Sequence, residues 1–410
     1  MNTKYKGRVL VAAGGGVAAM KTPFVLRRLI EAGYEVRALA TERALAFTTE
    51  TALATAAGSP VATDAAWFAA SGGALHLELA RWADLLVVAP ATAAGLARAA
   101  AGLAEDLLTA TITAGLPRVL WAPAMNPEMW RYPATQENVS RLRGWGHAFV
   151  GPEDGALAAV GEGTGVGRMS EPETIVEHVR YQLAPKDLEG RTVIVSAGPT
   201  REYFDPVRFI SNPSSGKMGY ALAEAARDRG AHVVLVSGPT NLPAPWGVEF
   251  VDVERADEMY QAISARYDEA DAVVMAAAVA DWKPAETARQ KTPKKKGKNT
   301  VELLPTPDIL AELGRRKRHQ VLVGFAMETS NGRQRAQGKL ERKNLDFICL
   351  NYPTKKSSAF GSDYNEVEMV FPDGSVVDTG RVSKREVADV IWSRVRDLIR
   401  ERNKEGAQDA

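Results

Sequence analysis

The sequence has 410 residues, 45% of them hydrophobic and 25% charged, with 51 Lys and Arg against 50 Asp and Glu for a formal net charge of +1. That length exceeds one ordinary core, so two domains of about 200 residues each are expected, and the composition excludes a disordered or fibrous chain. Near-neutrality excludes a bulk field that would draw nucleic acid or an anionic membrane, so phosphate chemistry needs local clusters, and a single cysteine excludes an internal disulfide framework and suits a reducing cytosol.

Apolar runs alternate with helical patterns from the start, which predicts parallel strands joined by crossover helices. "RVLVAA" is the first strand, and "KTPFVLRRLIEAG" makes a helix closing on Gly33. The opening "GRVLVAAGGGVAAM" looks superficially like a secretory leader, but its triple glycine breaks the apolar run and no spanning segment follows, so a cytoplasmic protein without a membrane partner is expected. Between strand and helix, Gly14, Gly15 and Gly16 leave backbone N–H groups bare where a helix dipole favours an anion; a plain tight turn is the alternative, because the spaced dinucleotide fingerprint is absent. "EVRALAT" and "DLLVVAPAT" supply further strands, and "APATAAGLARAAAG" repeats the loop-to-helix arrangement. His76, in "ALHLELARWAD", stands alone on an amphipathic segment, ordinarily the mark of a packing or surface residue. "APAMNPEMW" combines two prolines, two methionines and Asn126, a composition suited to a loop that holds a planar ligand and offers an amide to a carboxylate. "GALAAVGEGTGVGRM" has five glycines and only Glu162 as an acid, and reads as a mobile flap.

"YQLAPKDLEG" places a linker near residues 181 to 190, hence domains over 1–185 and 186–410. The same grammar then restarts: "RTVIVSAG", "HVVLVSG", "DAVVMAAA", "QVLVGFA" and "DFICLN" read as strands, the last burying Cys349 as a packing residue. "AGPTREYFDPVRFISNPSSGKMG" joins the first of these to a helix with small residues at its mouth, where a phosphate could settle, although it is not a Walker loop. "AAAVADW" ends a strand region with Asp281. "ARQKTPKKKGKN" gathers six basic residues, either a solvated face or a triphosphate clamp, and Lys339 and Lys343 lie four apart on one helix face. The tail "ERNKEGAQDA" is expected to fray. The fold class is therefore α/β, two doubly wound Rossmann-like domains.

In the first half, "GGGVAAMKTP", "HLELARWADLLVVAPATA" and "APAMNPEMW" resemble the flavin-dependent cysteine decarboxylases, specifically the phosphopantothenoylcysteine decarboxylase domain of coenzyme A biosynthesis, with a flavodoxin-like sheet. The resemblance implies FMN against Gly14, Gly15, Gly16, Thr41, Ala91 and Thr92, His76 as base on the substrate thiol, and Asn126 on the substrate carboxylate. The family's flap reads like "LACGxxGxGRM", and its cysteine supplies a proton. Here Ala159 stands in that place, before Glu162 and Arg168. Gly14 replaces a usual serine, and Ala94 and Glu105 stand where asparagine is frequent. Glu162 or a water then has to protonate, the reaction stops at an oxidised ene-thiol, or the domain is a degenerate flavin-binding or assembly scaffold and the chain is a ligase only.

The second half resembles the phosphopantothenate–cysteine ligase domain through "AGPTREYFDPVRFISNPSSGKMG", "AAAVADW", the lysine loop, "PTPDIL", "GFAMET", "KNLDFICLN" and "FGSDYN". That implies 4'-phosphopantothenate, L-cysteine and CTP as substrates, with Mg²⁺ carried on the nucleotide and no protein metal site. It implies CTP contacts from Met275, Ala276, Ala277, Asp281, Lys291, Pro307, Asp308, Ile309, Leu310, Phe325, Lys339 and Lys343, with Asn212 and Lys291 at the reacting centre. It also implies a homo-oligomer, commonly a dodecamer built from decarboxylase trimers and ligase dimers.

Overall fold

The computed structural model describes residues 5–69, 73–157, 161, 163–291, 300–352 and 361–408, with side chains to residue 404. The chain divides into two units, Met1–Ala184 and Pro185–Ala410; the sequence reading drew the border after residue 185.

In the first unit, β1 (Arg8–Ala13), β2 (Glu35–Ala40), β3 (Ala62–Thr63), β4 (Leu85–Ala91), β5 (Val119–Pro123) and β6 (Ala148–Phe149) form one sheet in the order β3-β2-β1-β4-β5-β6. All its pairings are parallel. Without the two-residue β3 this is the flavodoxin-like order; with it, the order of dinucleotide-binding sheets. Alternate residues of β1 serve two cores because successive side chains point to opposite faces. Val9, Val11 and Ala13 pack with Leu29 and Val179, whereas Leu10 and Ala12 pack with Leu96 and Trp121. Strands covered on both faces need continuous apolar runs, and β4 is buried at every position.

The glycine-rich flap departs from a featureless loop. Its stem is an antiparallel hairpin of β7 (Glu153–Ala156) and β8 (Thr164–Arg168), with Gly155 opposite Gly165 and Ala156 opposite Thr164. Two of its glycines answer to crowding. A Cβ on Gly167 would stand 2.1 Å from Met125 O, and one on Gly165 would stand 2.8 Å from Pro127 Cγ. Ala159 and Glu162 lie outside the described residues. The linker expectation is also corrected, since the helix Pro172–Leu183 includes Tyr181 to Leu183. It stops before Pro185, whose ring disfavours helical backbone at the preceding residue.

The second unit has β9 (Thr192–Ala197), β10 (Arg201–Tyr203), β11 (Phe209–Ser211), β12 (His232–Ser237), β13 (Glu249–Asp252), β14 (Ala272–Met275), β15 (Trp282–Pro284), β16 (Leu303–Pro305), β17 (Val321–Met327), β18 (Phe347–Asn351), β19 (Tyr364–Val370) and β20 (Val376–Ser383). Eight of them form a sheet in the order β13-β12-β9-β14-β17-β18-β19-β20. The first six are parallel, and β19 and β20 extend the edge antiparallel. The pairs β10–β11 and β15–β16 are separate antiparallel hairpins. Ile194 packs with Met259 and Leu313 on one face of the sheet, and Val193 and Val195 with Trp392 on the other.

The polar tail does not fray where expected: the last helix runs Lys384–Gln408, because Glu, Arg and Lys are good helix formers. The entry to this unit is tied to that helix. Arg229 donates to both carboxylate oxygens of Asp187 at 2.7 Å, and Arg396 donates to Oδ2 at 2.9 Å.

Candidate active sites

Each unit has a cleft where its strand order diverges at the C-terminal ends of the strands, the position at which open α/β sheets take ligands. The first, of about 680 Å³, is lined by Gly14, Gly15, Gly16, Thr41, Thr92, Asn126 and Arg168 among others. The loop after β1 passes close against its neighbours. Gly14 N–H donates to Pro90 O at 3.1 Å, and a Cβ there would stand 2.3 Å from that oxygen. A Cβ on Gly15 would meet Arg43 Cβ at 2.4 Å. Bare backbone is therefore a steric requirement here, and it suits a phosphate. Thr41 is buried, and its hydroxyl donates to Ala13 O at 3.2 Å. Thr92 caps the helix Ala93–Ala101, accepting from Gly95 N–H at 3.2 Å. Ala91 is fully buried behind the wall.

Asn126 caps the short helix Pro127–Arg131, its Oδ1 accepting from Glu128 N–H at 2.9 Å. Arg168 pairs with Glu153 at 3.1 Å, and Lys21 with Glu171 at 2.9 Å. Ala94 and Glu105 both line the cleft.

His76 does not line this cleft among the described residues. It lies on the helix Leu75–Trp82, and the Trp67 indole N–H donates to its Nδ1 at 3.1 Å. An Nδ1 that accepts puts the proton of the neutral ring on Nε2, so the outer nitrogen presents a donor. His76 therefore stands outside the first cleft among the described residues, with its Nδ1 engaged by Trp67.

The second cleft, of about 860 Å³, draws together Asn212, Met275, Ala276, Ala277, Asp281, Pro307, Asp308, Ile309, Leu310, Phe325, Lys339 and Lys343. β14 ends at Met275, and the small residues after it are tied to the β9 loop. Ala277 N–H donates to Ser196 Oγ at 3.1 Å, Ala278 N–H to Gly198 O at 2.9 Å, and Ala280 N–H to Thr200 Oγ1 at 3.0 Å. Asn212 Nδ2 donates to Val279 O at 3.0 Å, which leaves Oδ1 as its acceptor. Gly216, with φ of 76°, starts the helix Lys217–Asp228.

Of the three expected lysines, the two that line the cleft already hold acids. Lys339 Nζ donates to Glu328 at 2.8 Å, and Lys343 Nζ to Asp308 at 2.8 Å. Burial alone would push the Glu328 carboxyl up, but hydrogen bonds from Lys339 and Arg335 hold it below the usual carboxylate range. Asp308 behaves alike, with burial opposed by Lys343 and the Ala311 N–H. Lys291 is exposed and does not line the cleft, and residues 292–299 beside it are outside the described ones.

Residues 1–184 match the family described as Flavoprotein, and residues 188–399 match the DNA/pantothenate metabolism flavoprotein C-terminal domain. The coenzyme A biosynthesis bifunctional protein CoaBC of Vibrio parahaemolyticus is 42% identical over 402 residues, covering 97% of this chain and 100% of its own. The chain belongs to the bifunctional CoaBC family. The Bacillus subtilis member is 41% identical over 96% of this chain and 97% of its own length, and the Mycobacterium bovis member 44% identical over 90% and 91%. As a CoaBC enzyme the chain has two activities in coenzyme A biosynthesis, a decarboxylase in a flavoprotein unit and a ligase in the C-terminal unit; the ligase-only alternative is not favoured.

Sequence reasoning missed several lining residues of this CoaBC chain. Asp64 lines the first cleft and accepts from Leu107 N–H at 2.7 Å and Glu42 N–H at 3.0 Å, joining two of its loops. Lys217 and Lys384 line the second. Lys217 donates to Asp363 at 2.7 Å and Lys384 donates to Ser362 O. Burial, then the neighbouring Lys217, pushes the Lys384 ammonium down. Only Lys217 had a signal, lying in "NPSSGKMG" at the helix start. Among the described residues no helix is long and apolar enough to cross a membrane.

Proposed function

We propose that the C-terminal unit joins 4'-phosphopantothenate to L-cysteine at the expense of CTP, and that the N-terminal unit decarboxylates the product, with FMN as its flavin, to 4'-phosphopantetheine. The observation that carries the ligase half is convergence: segments as far apart in sequence as Asn212, Asp281, Phe325 and Lys343 wall one cleft. A carboxylate is a poor acyl donor. Its oxygen attacks the α-phosphorus of CTP and expels pyrophosphate, and the amine of cysteine then attacks the resulting acyl-cytidylate carbonyl, releasing CMP and a proton. Lys339 and Lys343 offset the charge that develops on the phosphates, and Asn212 orients the acyl group. Mg²⁺ enters with the nucleotide in this reading, because the Glu328 and Asp308 carboxylates are engaged by lysines.

FMN fits the first cleft because the Gly14–Gly16 backbone stays bare for a phosphate while Met125 and Met129 offer apolar surface for a planar ring. Bound there, it supplies the removal and return of a hydride at the carbon bearing sulfur, which turns the adjacent carboxylate into a leaving group. Asn126 orients that carboxylate. His76 takes the thiol proton, which requires Trp67 to release the Nδ1 lone pair. Because His76 does not line its own cleft among the described residues, we assign this role to a cleft shared between copies of a homo-oligomer. Exposed Phe24 and Phe68 in the first unit, and Phe209, Trp282 and Leu304 on the hairpins of the second, support such assembly. The proton that replaces carbon dioxide comes from Glu162 or a water, since Ala159 cannot donate.

The test supplies phosphopantothenate, cysteine, CTP and Mg²⁺ and follows pyrophosphate, carbon dioxide and the final thiol by mass. Without pyrophosphate the ligase assignment fails. Carbon dioxide without phosphopantetheine marks a reaction halted before reduction, and Ala159→Cys is then expected to raise phosphopantetheine output.

A further inference from the structure

Lys339 and Lys343 line the same wall of the second cleft, yet their acids differ in kind. The Asp308 side chain that holds Lys343 is 54% exposed, whereas the Glu328 side chain that holds Lys339 is 8% exposed. Glu328 is fixed from three sides. Lys339 donates to one carboxylate oxygen at 2.8 Å, Arg335 to the other at 2.9 Å, and the Glu328 N–H donates to Asn351 O at 3.2 Å. It follows directly on β17, three residues after the cleft-lining Phe325. A buried carboxylate with both oxygens engaged does not swing toward a ligand, because that would strand charge in an apolar setting. A lysine ammonium has three N–H donors, and the one committed to Glu328 leaves two for another anion.

We propose that Glu328 is a positioning residue of the ligase reaction, holding the Lys339 ammonium on the cleft wall so that it meets the nucleotide's phosphates already ordered. This inference rests on the ligase reading. A free lysine loses its rotamer freedom when it grips a phosphate, and a tethered one has lost it beforehand. Asp308 differs: its pair with Lys343 is accessible to water, so that lysine is free to exchange its carboxylate for a phosphate.

The experiment measures pyrophosphate release by the full chain at varied CTP and saturating phosphopantothenate, for the unmodified protein, Glu328→Gln, Lys339→Met and the double variant, with a thermal melt of each. Glu328→Gln is expected to raise KM for CTP about tenfold while kcat stays within about twofold, and to add less than about twofold on top of Lys339→Met, as two residues acting as one unit do. An unchanged KM in folded Glu328→Gln overturns the inference, as do single effects that multiply in the double variant. Arg335→Met removes the other tie to the same carboxylate, through a side chain that does not line the cleft. A KM within about threefold is expected, and a rise of about tenfold or more in folded Arg335→Met would show a merely structural tie and overturn the inference, whether or not Glu328→Gln folds. Absence of pyrophosphate from the unmodified protein would instead sink the ligase reading itself.

Discussion

The two clefts open at equivalent places in two sheets with the same order of parallel strands, yet they are furnished differently. In the first, the wall after β1 is backbone held bare by crowding, with Gly14 and Gly15 unable to carry a side chain in place. In the second, lysines line the wall, and two of them hold carboxylates, Asp308 in the cleft lining and Glu328 buried behind it. A backbone wall without side chains neither titrates nor changes rotamer, which suits a cofactor that stays. Ion pairs in a wet cleft can exchange partners, which suits a nucleotide that arrives, is cleaved and leaves.

This contrast can be broken at either cleft. The largest expected effect is His76→Asn, which lowers carbon dioxide release by about 100- to 10,000-fold, as loss of an acid–base group does, with pyrophosphate release unchanged. Restoration of carbon dioxide release on mixing His76→Asn with Asn126→Ala subunits would support the shared cleft. Next comes Lys339→Met combined with Lys343→Met, expected to lower pyrophosphate release by about 100- to 1,000-fold, as removal of a charge-stabilising donor does. Decarboxylation of supplied phosphopantothenoylcysteine should be untouched, and a parallel fall would mean that the clefts are not independent. Gly15→Ala is smaller: overpacking against Arg43, whose Cβ would stand 2.4 Å away, costs about 1–3 kcal/mol, read as a lower melting temperature and lost flavin absorbance.

The smallest effect is in pH. Burial pushes His147, in the first unit, below the usual histidine range. Its folded form therefore binds fewer protons than the unfolded chain, and that contribution to stability declines as pH falls below about 6.5. Glu328 and Asp308 are held below the carboxylate range, so their contribution is present above about pH 4.5 and is lost as acid passes their folded values. Scanning calorimetry at pH 7.5 and 5.5 should show the first unit softening before the second.

Much of the fold was legible because buried parallel strands must be written as apolar runs: β1, β4, β12, β17 and β18 each stand out as such. The strands β19 and β20 were not, because one face of each is exposed and interrupts the run with Glu366, Glu368, Asp378 and Arg381. Three-residue strands such as β10 and β15 carry too little pattern to register. At the sites, residues inside motifs converged on the second cleft with the exception of Lys291. Asp64 and Lys384 were invisible, because what marks them is a partner distant in sequence, Leu107 and Ser362 respectively, and Glu328, although inside "GFAMET", is singled out only by its pairing with Lys339. His76 differs again: its residue type suggested no more than packing, the resemblance implied a base, and only the neighbouring Trp67 reveals which nitrogen holds the proton.

The grip of Arg229 and Arg396 on Asp187 fastens the first residues after Ala184 to the second unit's own last helix. A fragment beginning at Pro185 keeps that clasp and every residue of the second cleft. One truncated before Arg396 loses a finger of it together with Ile399 of the core beneath, so the far terminus is where such a fragment is trimmed at a cost.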